Sequence, residues 1–202
     1  MILKDYEFTA IDLETTGLKP GQNEILEIAA IRFNKDKPLA EFHSFISPRK
    51  ELKKDAQLVN GITKEMLENA PSLDKKLAEF FHFIENSMLV IQNADFDLSF
   101  LLFESKKLEI PFPNLPVLCT LNMTRSLFPN YPKHGLAHLR KYFKIDTIKT
   151  SDRTDFHQAL DDSYAAMKVF IYSADKANLW EKDISILNYH PKGFKTSSDF
   201  EI

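Results

Sequence analysis

A single cysteine, Cys119, stands among the 202 residues, so neither an intrachain disulfide nor a cluster of thiolate metal ligands is open to this chain. Glycine is scarce, five residues in all, and no Gly-x-Gly-x-x-Gly follows any candidate strand, which sets aside a dinucleotide-binding oxidoreductase. Long apolar runs are missing: Met88–Ile91 and Phe100–Phe103 are far too short to span a bilayer. The first seven residues, ending at Tyr6 and Glu7, have no apolar core of the kind a secretion signal needs. Charge of one sign is lacking too, with 26 basic against 29 acidic residues and a formal charge of −3. That balance excludes a histone-like polycation and a strongly acidic tail, so any nucleic-acid partner must be held by a local patch or a metal. Together these absences lead us to expect a soluble protein of a reducing compartment, the cytoplasm.

What is present fits one ordinary folding unit. Hydrophobic residues make up 44% and charged residues 27%, with no repeat, low-complexity tract or flexible linker. A chain of this length buries enough surface to fold without disulfides. Three strands are expected early, at Tyr6–Leu13, Ile25–Phe33 and Leu39–Ile46, close enough in sequence to form a meander. The period then becomes helical over Ser72–Glu85, where Leu73, Leu77, Phe80 or Phe81, and Ile84 recur at three-to-four spacing. A short buried strand at Met88–Ile91, a helix over Asp95–Lys107 and a connection holding Pro111, Pro113 and Pro116 come next. Helices near Leu121–Phe128, Leu136–Phe143 and Ala159–Leu179 complete an α/β or α+β mixed-sheet pattern. The domain is expected over residues 1–180, with 181–202 a loosely ordered or partner-docking tail headed by Trp180.

Three acidic sites stand out. Asp12 and Glu14 lie two apart at the end of the first strand, so both face one way and Ile11 and Leu13 the other. Two acids on one side of an apolar strand repel each other unless a cation lies between them, although a solvated strand end also tolerates them. Asp95 and Asp97 follow a buried strand; Asp95 suits a helix N-cap, and Asp97 either complements the helix dipole or faces a site. In the third site, helix phase puts Asp161 with Lys168 and Asp175 on a solvent face, and Asp162 with Ala166, Val169 and Ser173 on an inward one. His157 meets Asp162 only if it sits on the loop leading into that helix.

Asp12-Leu-Glu14-Thr-Thr-Gly17, Asn93-Ala-Asp-Phe-Asp97 and His157-x4-Asp162 stand in the order and at the spacings of the DEDDh 3′–5′ exonucleases. From Phe8 to about Leu179 the chain resembles that DnaQ-like family, which includes the proofreading ε subunit of bacterial DNA polymerase III. The resemblance implies an RNase H-like α/β fold with a central mixed five-stranded sheet flanked by helices. It implies two Mg²⁺ or Mn²⁺ ions per active site, with Asp12, Glu14 and Asp162 around the ion nearer the nucleophile. Asp12 would also bridge to the second ion, Asp97 would act largely through water, and His157 would be the general base. The reaction implied is release of nucleoside 5′-monophosphates from the 3′ end of single-stranded or frayed DNA, in proofreading or repair, with a DNA polymerase as an implied partner. An exoribonuclease trimming RNA 3′ ends shares the chemistry, and a non-catalytic nucleic-acid or polymerase-bridging module is the alternative of a different class.

Residues implied to touch the strand are Leu13, Thr15, Thr16, Asn93, Phe96 and Phe100, with Leu18 as an apolar wedge between the last two bases; core packing is the alternative for Phe96 and Phe100. Charge runs at Arg49–Lys54 and Lys75-Lys76 are either guides for the strand backbone or solvated faces. Two departures are visible. Gln92 and Asn60 stand where the family often has histidine, which leads us to expect altered substrate contacts rather than lost catalysis.

Overall fold

The run Ile25–Phe33 is almost wholly buried because it is the second strand of a sheet covered on both faces. In the computed structural model, which describes residues 2–50, 57, 60–148 and 157–183, it is β2 of a five-stranded sheet ordered β3-β2-β1-β4-β5. β1 (Phe8–Thr15), β2 (Ile25–Phe33) and β3 (Pro38–Phe45) form the expected antiparallel meander. β4 (Met88–Ile91) and β5 (Val117–Cys119) add in parallel on the other side of β1, which makes the sheet mixed.

Alternation along β1 divides the core in two. Ile11 and Leu13 turn to the face covered by α2 (Leu73–Ile84) and α3 (Ala94–Leu108), where they meet Leu77, Phe80, Leu98 and Phe100. Phe8 and Ala10 turn to the opposite face, covered by α6 (Ala159–Lys176), against Ala166, Met167 and Phe170. Phe8 anchors this second layer, its ring 5.3 Å from Phe33 and 4.8 Å from Phe170. Asp12 and Glu14 continue the Phe8–Ala10 series, so both acids project toward α6. The short α1 (Lys64–Leu67) precedes them in the chain, and the short α4 (Thr120–Leu127) and α5 (Leu136–Phe143) lie between α3 and α6.

Three expectations need correction. β5 follows Pro116 directly inside what reads as a proline-rich connection, and its three residues are too few to show any period. Asp95 is not the cap of α3: the helix starts at Ala94, and Asn93 makes the turn from β4 in a left-handed conformation, φ 59°, which asparagine tolerates. Trp180, at the head of the expected tail, is packed into the fold. It is 6% exposed in the second core layer, and its Nε1 donates to Asp175 Oδ1 at 2.6 Å. The chain beyond it stays attached, since Leu3 N donates to Lys182 O and Ile2 bridges Asp183. The remainder of the expected tail, 184–202, lies outside the described residues. Among the described residues no helix is long and apolar enough to cross a membrane.

Candidate active site

The site grows from the end of β1. β4 stops pairing at Ile91, opposite Ile11, so the backbone N–H of Leu13 has no strand beside it and donates to Asp97 Oδ1 at 3.1 Å instead. Because Gln92 and Asn93 alone separate β4 from α3, Asp97 arrives in the first turn of a helix that starts at the sheet's edge. Asp97 is 2% exposed and Glu14 is 8% exposed. α6 lies across β1 and β2, tied down by Ser163 Oγ donating to Ala29 O, and its first turn delivers Asp162. His157 sits just before the helix, as the spacing required, with Nδ1 2.8 Å from Asp162 Oδ2. Its side chain is 64% exposed, so the imidazole forms the solvent side of the site.

The electrostatics mark these groups as one cluster. Burial holds the Asp12 carboxyl well above the usual carboxylate range, and the charges of Asp97, Asp162, Glu14 and Glu27 push it further. Burial likewise pushes Asp97 up to about 8, with the charge of Asp162 adding to it and the N–H groups of Asp97 and Leu13 pulling it down. His157 is raised by its hydrogen bond to Asp162 and by the charges of Asp162 and Glu14, against burial and the nearby Arg140. Acids that resist ionisation because other acids face them are relieved by a cation. Glu14, His157 and Asp162 each offer a ligand atom, all within 4.8 Å of one another. The donor set is oxygen-rich, with one imidazole and no thiolate, which suits a hard divalent cation such as Mg²⁺ or Mn²⁺.

The other expected residues divide. Leu18, in the loop after β1, is 80% exposed. That loop is stiff: Asn23 Oδ1 accepts from Lys19 N, its Nδ2 donates to Thr16 O, and a Cβ on Gly17 would meet Asn23 Nδ2 at 2.6 Å. The hydroxyls of Thr15 and Thr16 serve the loop as well, Thr15 Oγ1 donating to Gly17 O and Thr16 Oγ1 accepting from Glu24 N. Asn93 is exposed beside the acids and Phe96 is partly buried. Phe100 is 1% exposed inside the core, so it lines no pocket. Leu13 gives the site its backbone N–H while its side chain packs in the same core.

The two departures turn inward instead of toward a substrate. Gln92 Nε2 donates to His134 O and its Oε1 accepts from Thr120 Oγ1, pinning the segment between α4 and α5. Asn60, 1% exposed, donates to Thr15 O and accepts from Ile62 N. Gln92 thus joins a backbone oxygen to a side-chain hydroxyl, and Asn60 joins two backbone groups, within the fold. Arg49, taken from its charge run as a possible guide, is likewise structural: it binds the buried Glu24 at 2.9 Å and Glu104 at 2.8 Å. Residues 51–54 of that run lie outside the described residues. Lys76 pairs with Glu79 on the surface of α2.

Three neighbours of the site escaped sequence reading. Glu27, 1% exposed, stands opposite Glu14 in the β1–β2 ladder and accepts or shares a proton with His43 Nε2 at 2.7 Å. An acid inside the apolar run Ile25–Phe33 was the available signal. Asp161, expected on a solvent face, is 15% exposed, held by Arg140 Nη2 at 2.6 Å. Arg140, from α5, carried no sequence signal.

Comparison with known proteins adds to this geometry. Residues 9–170 match the RNase_T family, described as exonuclease. A DNA polymerase III PolC-type of Streptococcus sanguinis (strain SK36) is 38% identical over 145 residues, 72% of this chain and 10% of that protein. The chain thus spans about a tenth of the length of the curated relatives it matches. Exonuclease X, solved with a 5′-overhanging duplex DNA, superposes with a TM-score of 0.70 at 22% identity, covering 89% of this chain and 98% of that one. Escherichia coli exonuclease I, solved with a dA16 oligonucleotide, gives 0.74 at 18% identity, covering 87% of this chain and 42% of that one.

Proposed function

Because this chain belongs to the RNase_T family of exonucleases, the DnaQ-like 3′–5′ group, we propose that it is a DEDDh enzyme that removes nucleotides one at a time from the 3′ end of single-stranded or frayed DNA. The observation that carries the reading is the convergence of Glu14, His157 and Asp162, with ligand atoms within 4.8 Å of one another, beside the buried Asp12 and Asp97, whose carboxyls both feel the charge of Asp162.

Asp12, Glu14, Asp97 and Asp162 would hold two divalent cations, Mg²⁺ or Mn²⁺. When bound, such ions polarise the scissile phosphodiester and make water a better nucleophile at neutral pH. With Nδ1 donating to Asp162 Oδ2, His157 keeps Nε2 as the lone-pair nitrogen. Nε2 takes the proton of the attacking water as its oxygen bonds to phosphorus and the bond to the 3′-oxygen breaks. The leaving 3′-oxygen takes a proton from bulk water and His157 returns its own to solvent, giving a nucleoside 5′-monophosphate and a strand one residue shorter. Leu18, exposed at the tip of a stiff loop, wedges against the terminal bases, and Asn93 and Phe96 contact the last nucleotide.

DNA is favoured over RNA as substrate because the PolC-type relative is a DNA polymerase. The same likeness supports a proofreading or repair role beside a polymerase. A cytoplasmic setting agrees with the free, buried Cys119. The test is single-turnover release of monophosphates from DNA and RNA strands of matched sequence. Faster release from DNA supports the proposal. Preference for RNA turns the reading to 3′-end trimming, and tight strand binding with no release turns it to a bridging module.

A further inference from the structure

Resting on that hydrolytic reading, we propose that Arg140 is a positioning residue for the site, holding the metal-ligand acid Asp162 through its guanidinium. Arg140 stands on α5 with its side chain 11% exposed. Its Nη2 donates to the backbone oxygen and to Oδ2 of Asp161, both at 2.6 Å, and reaches Asp162 Oδ1 at 3.5 Å. Nη1 donates to Asp146 O at 3.3 Å. The remaining oxygen of Asp161, Oδ1, accepts from Ile148 N at 2.8 Å. One guanidinium therefore gathers two successive residues of the first turn of α6 and the chain that leaves α5.

The consequence falls on Asp162. Its two oxygens are divided, Oδ1 toward Arg140 and Oδ2 on His157 Nδ1. Rotation of the carboxylate would break both contacts, so Arg140 fixes the plane in which Asp162 faces His157 and Glu14. A guanidinium this enclosed does not reach a bound strand; it acts through Asp162. The planar fork matters as much as the charge, since a lysine ammonium serves one direction where Arg140 serves three residues. Groups that orient metal ligands from behind are worth about 10–100-fold in metal affinity or activity.

The test uses the full chain with Arg140→Met, Arg140→Lys and Asp161→Asn. Mn²⁺ binding is followed by loss of the free-ion electron paramagnetic resonance signal. Separately, kcat and KM are measured on a single-stranded DNA oligonucleotide. Arg140→Met is expected to weaken Mn²⁺ binding and lower kcat by about 10–100-fold. KM for the strand stays within about twofold, because uniform strand binding is untouched. Arg140→Lys keeps the charge and recovers only part of the loss, and Asp161→Asn moves both readouts in the same direction. Wild-type Mn²⁺ binding and kcat in folded Arg140→Met, with a lower melting temperature alone, would reduce Arg140 to a clamp between α5 and α6 and overturn the proposal. Tighter Mn²⁺ binding overturns it as well, by showing that the charge opposes the ion rather than ordering its ligand. If Arg140→Met does not fold, unchanged binding in both Arg140→Lys and Asp161→Asn has the same force. A wild-type chain that binds Mn²⁺ but hydrolyses no strand defeats the hydrolytic reading, while the Mn²⁺ comparison still decides the role of Arg140.

Discussion

The backbone N–H of Leu13 donates to Asp97 Oδ1 across 3.1 Å, stitching the first turn of α3 to the end of β1. That bond brings the second acidic motif to the first, although 84 residues separate them in sequence. It also places Asp97 where burial and Asp162 push its carboxyl up to about 8.

Stability without metal follows from this shift. An acid whose folded pKa is raised binds more protons folded than unfolded between the two values, so its stabilising share is complete below the unfolded pKa and is lost as pH rises toward 8. Each pH unit in that window costs up to about 1.4 kcal/mol for one fully shifted acid. In EDTA the melting temperature is expected to fall from pH 5 to pH 8, and Asp97→Asn to flatten that slope. Added Mg²⁺ should stabilise more at pH 8 than at pH 5. A metal-free melting temperature that rises over this range contradicts the burial of these acids.

In the proposed mechanism His157 sets the pH dependence of turnover. Its hydrogen bond to Asp162 raises it above the ordinary histidine value, and a general base works only when deprotonated. The rate should therefore climb with pH through the neutral range. His157→Ala should lose that limb and about 100-fold or more of kcat while still binding Mn²⁺. A variant with near-wild-type kcat removes His157 from the base role.

Leu18 and Phe100 separate substrate contact from packing. Leu18 is 80% exposed, so Leu18→Ala should change stability by no more than about 0.5 kcal/mol. It should nonetheless raise KM for single strands. Phe100→Ala empties a filled core position and should cost about 3–5 kcal/mol in urea unfolding. A destabilised Leu18→Ala with normal KM would assign that side chain to the fold.

Most of the architecture was legible because it rests on period and burial. Ile25–Phe33, Met88–Ile91 and Leu136–Phe143 have the ends that hydrophobic patterning gives them. The five candidate site residues could be named because three motifs carry them in order. What escaped is pairing at a distance. Helix phase leaves Asp161 on an outer face, yet Arg140 from α5 closes over it, and no local pattern announces that contact. Gln92 and Asn60 were visible as departures, but their inward roles depend on His134 and Thr15, 42 and 45 residues away. Glu27 escaped as well, although an acid within an apolar strand needs a partner; that partner, His43, comes from the β2–β3 pairing.

The most direct test of the account is digestion of one single-stranded DNA labelled at either end, with Mg²⁺ or EDTA, by wild type and Asp12→Asn. The account predicts that the 3′ label is released at once as a mononucleotide while the 5′-labelled strand shortens stepwise. Both events should need Mg²⁺ and vanish in Asp12→Asn. Loss from the 5′ end, cleavage undiminished in EDTA, or Asp12→Asn cutting at the wild-type rate would contradict it.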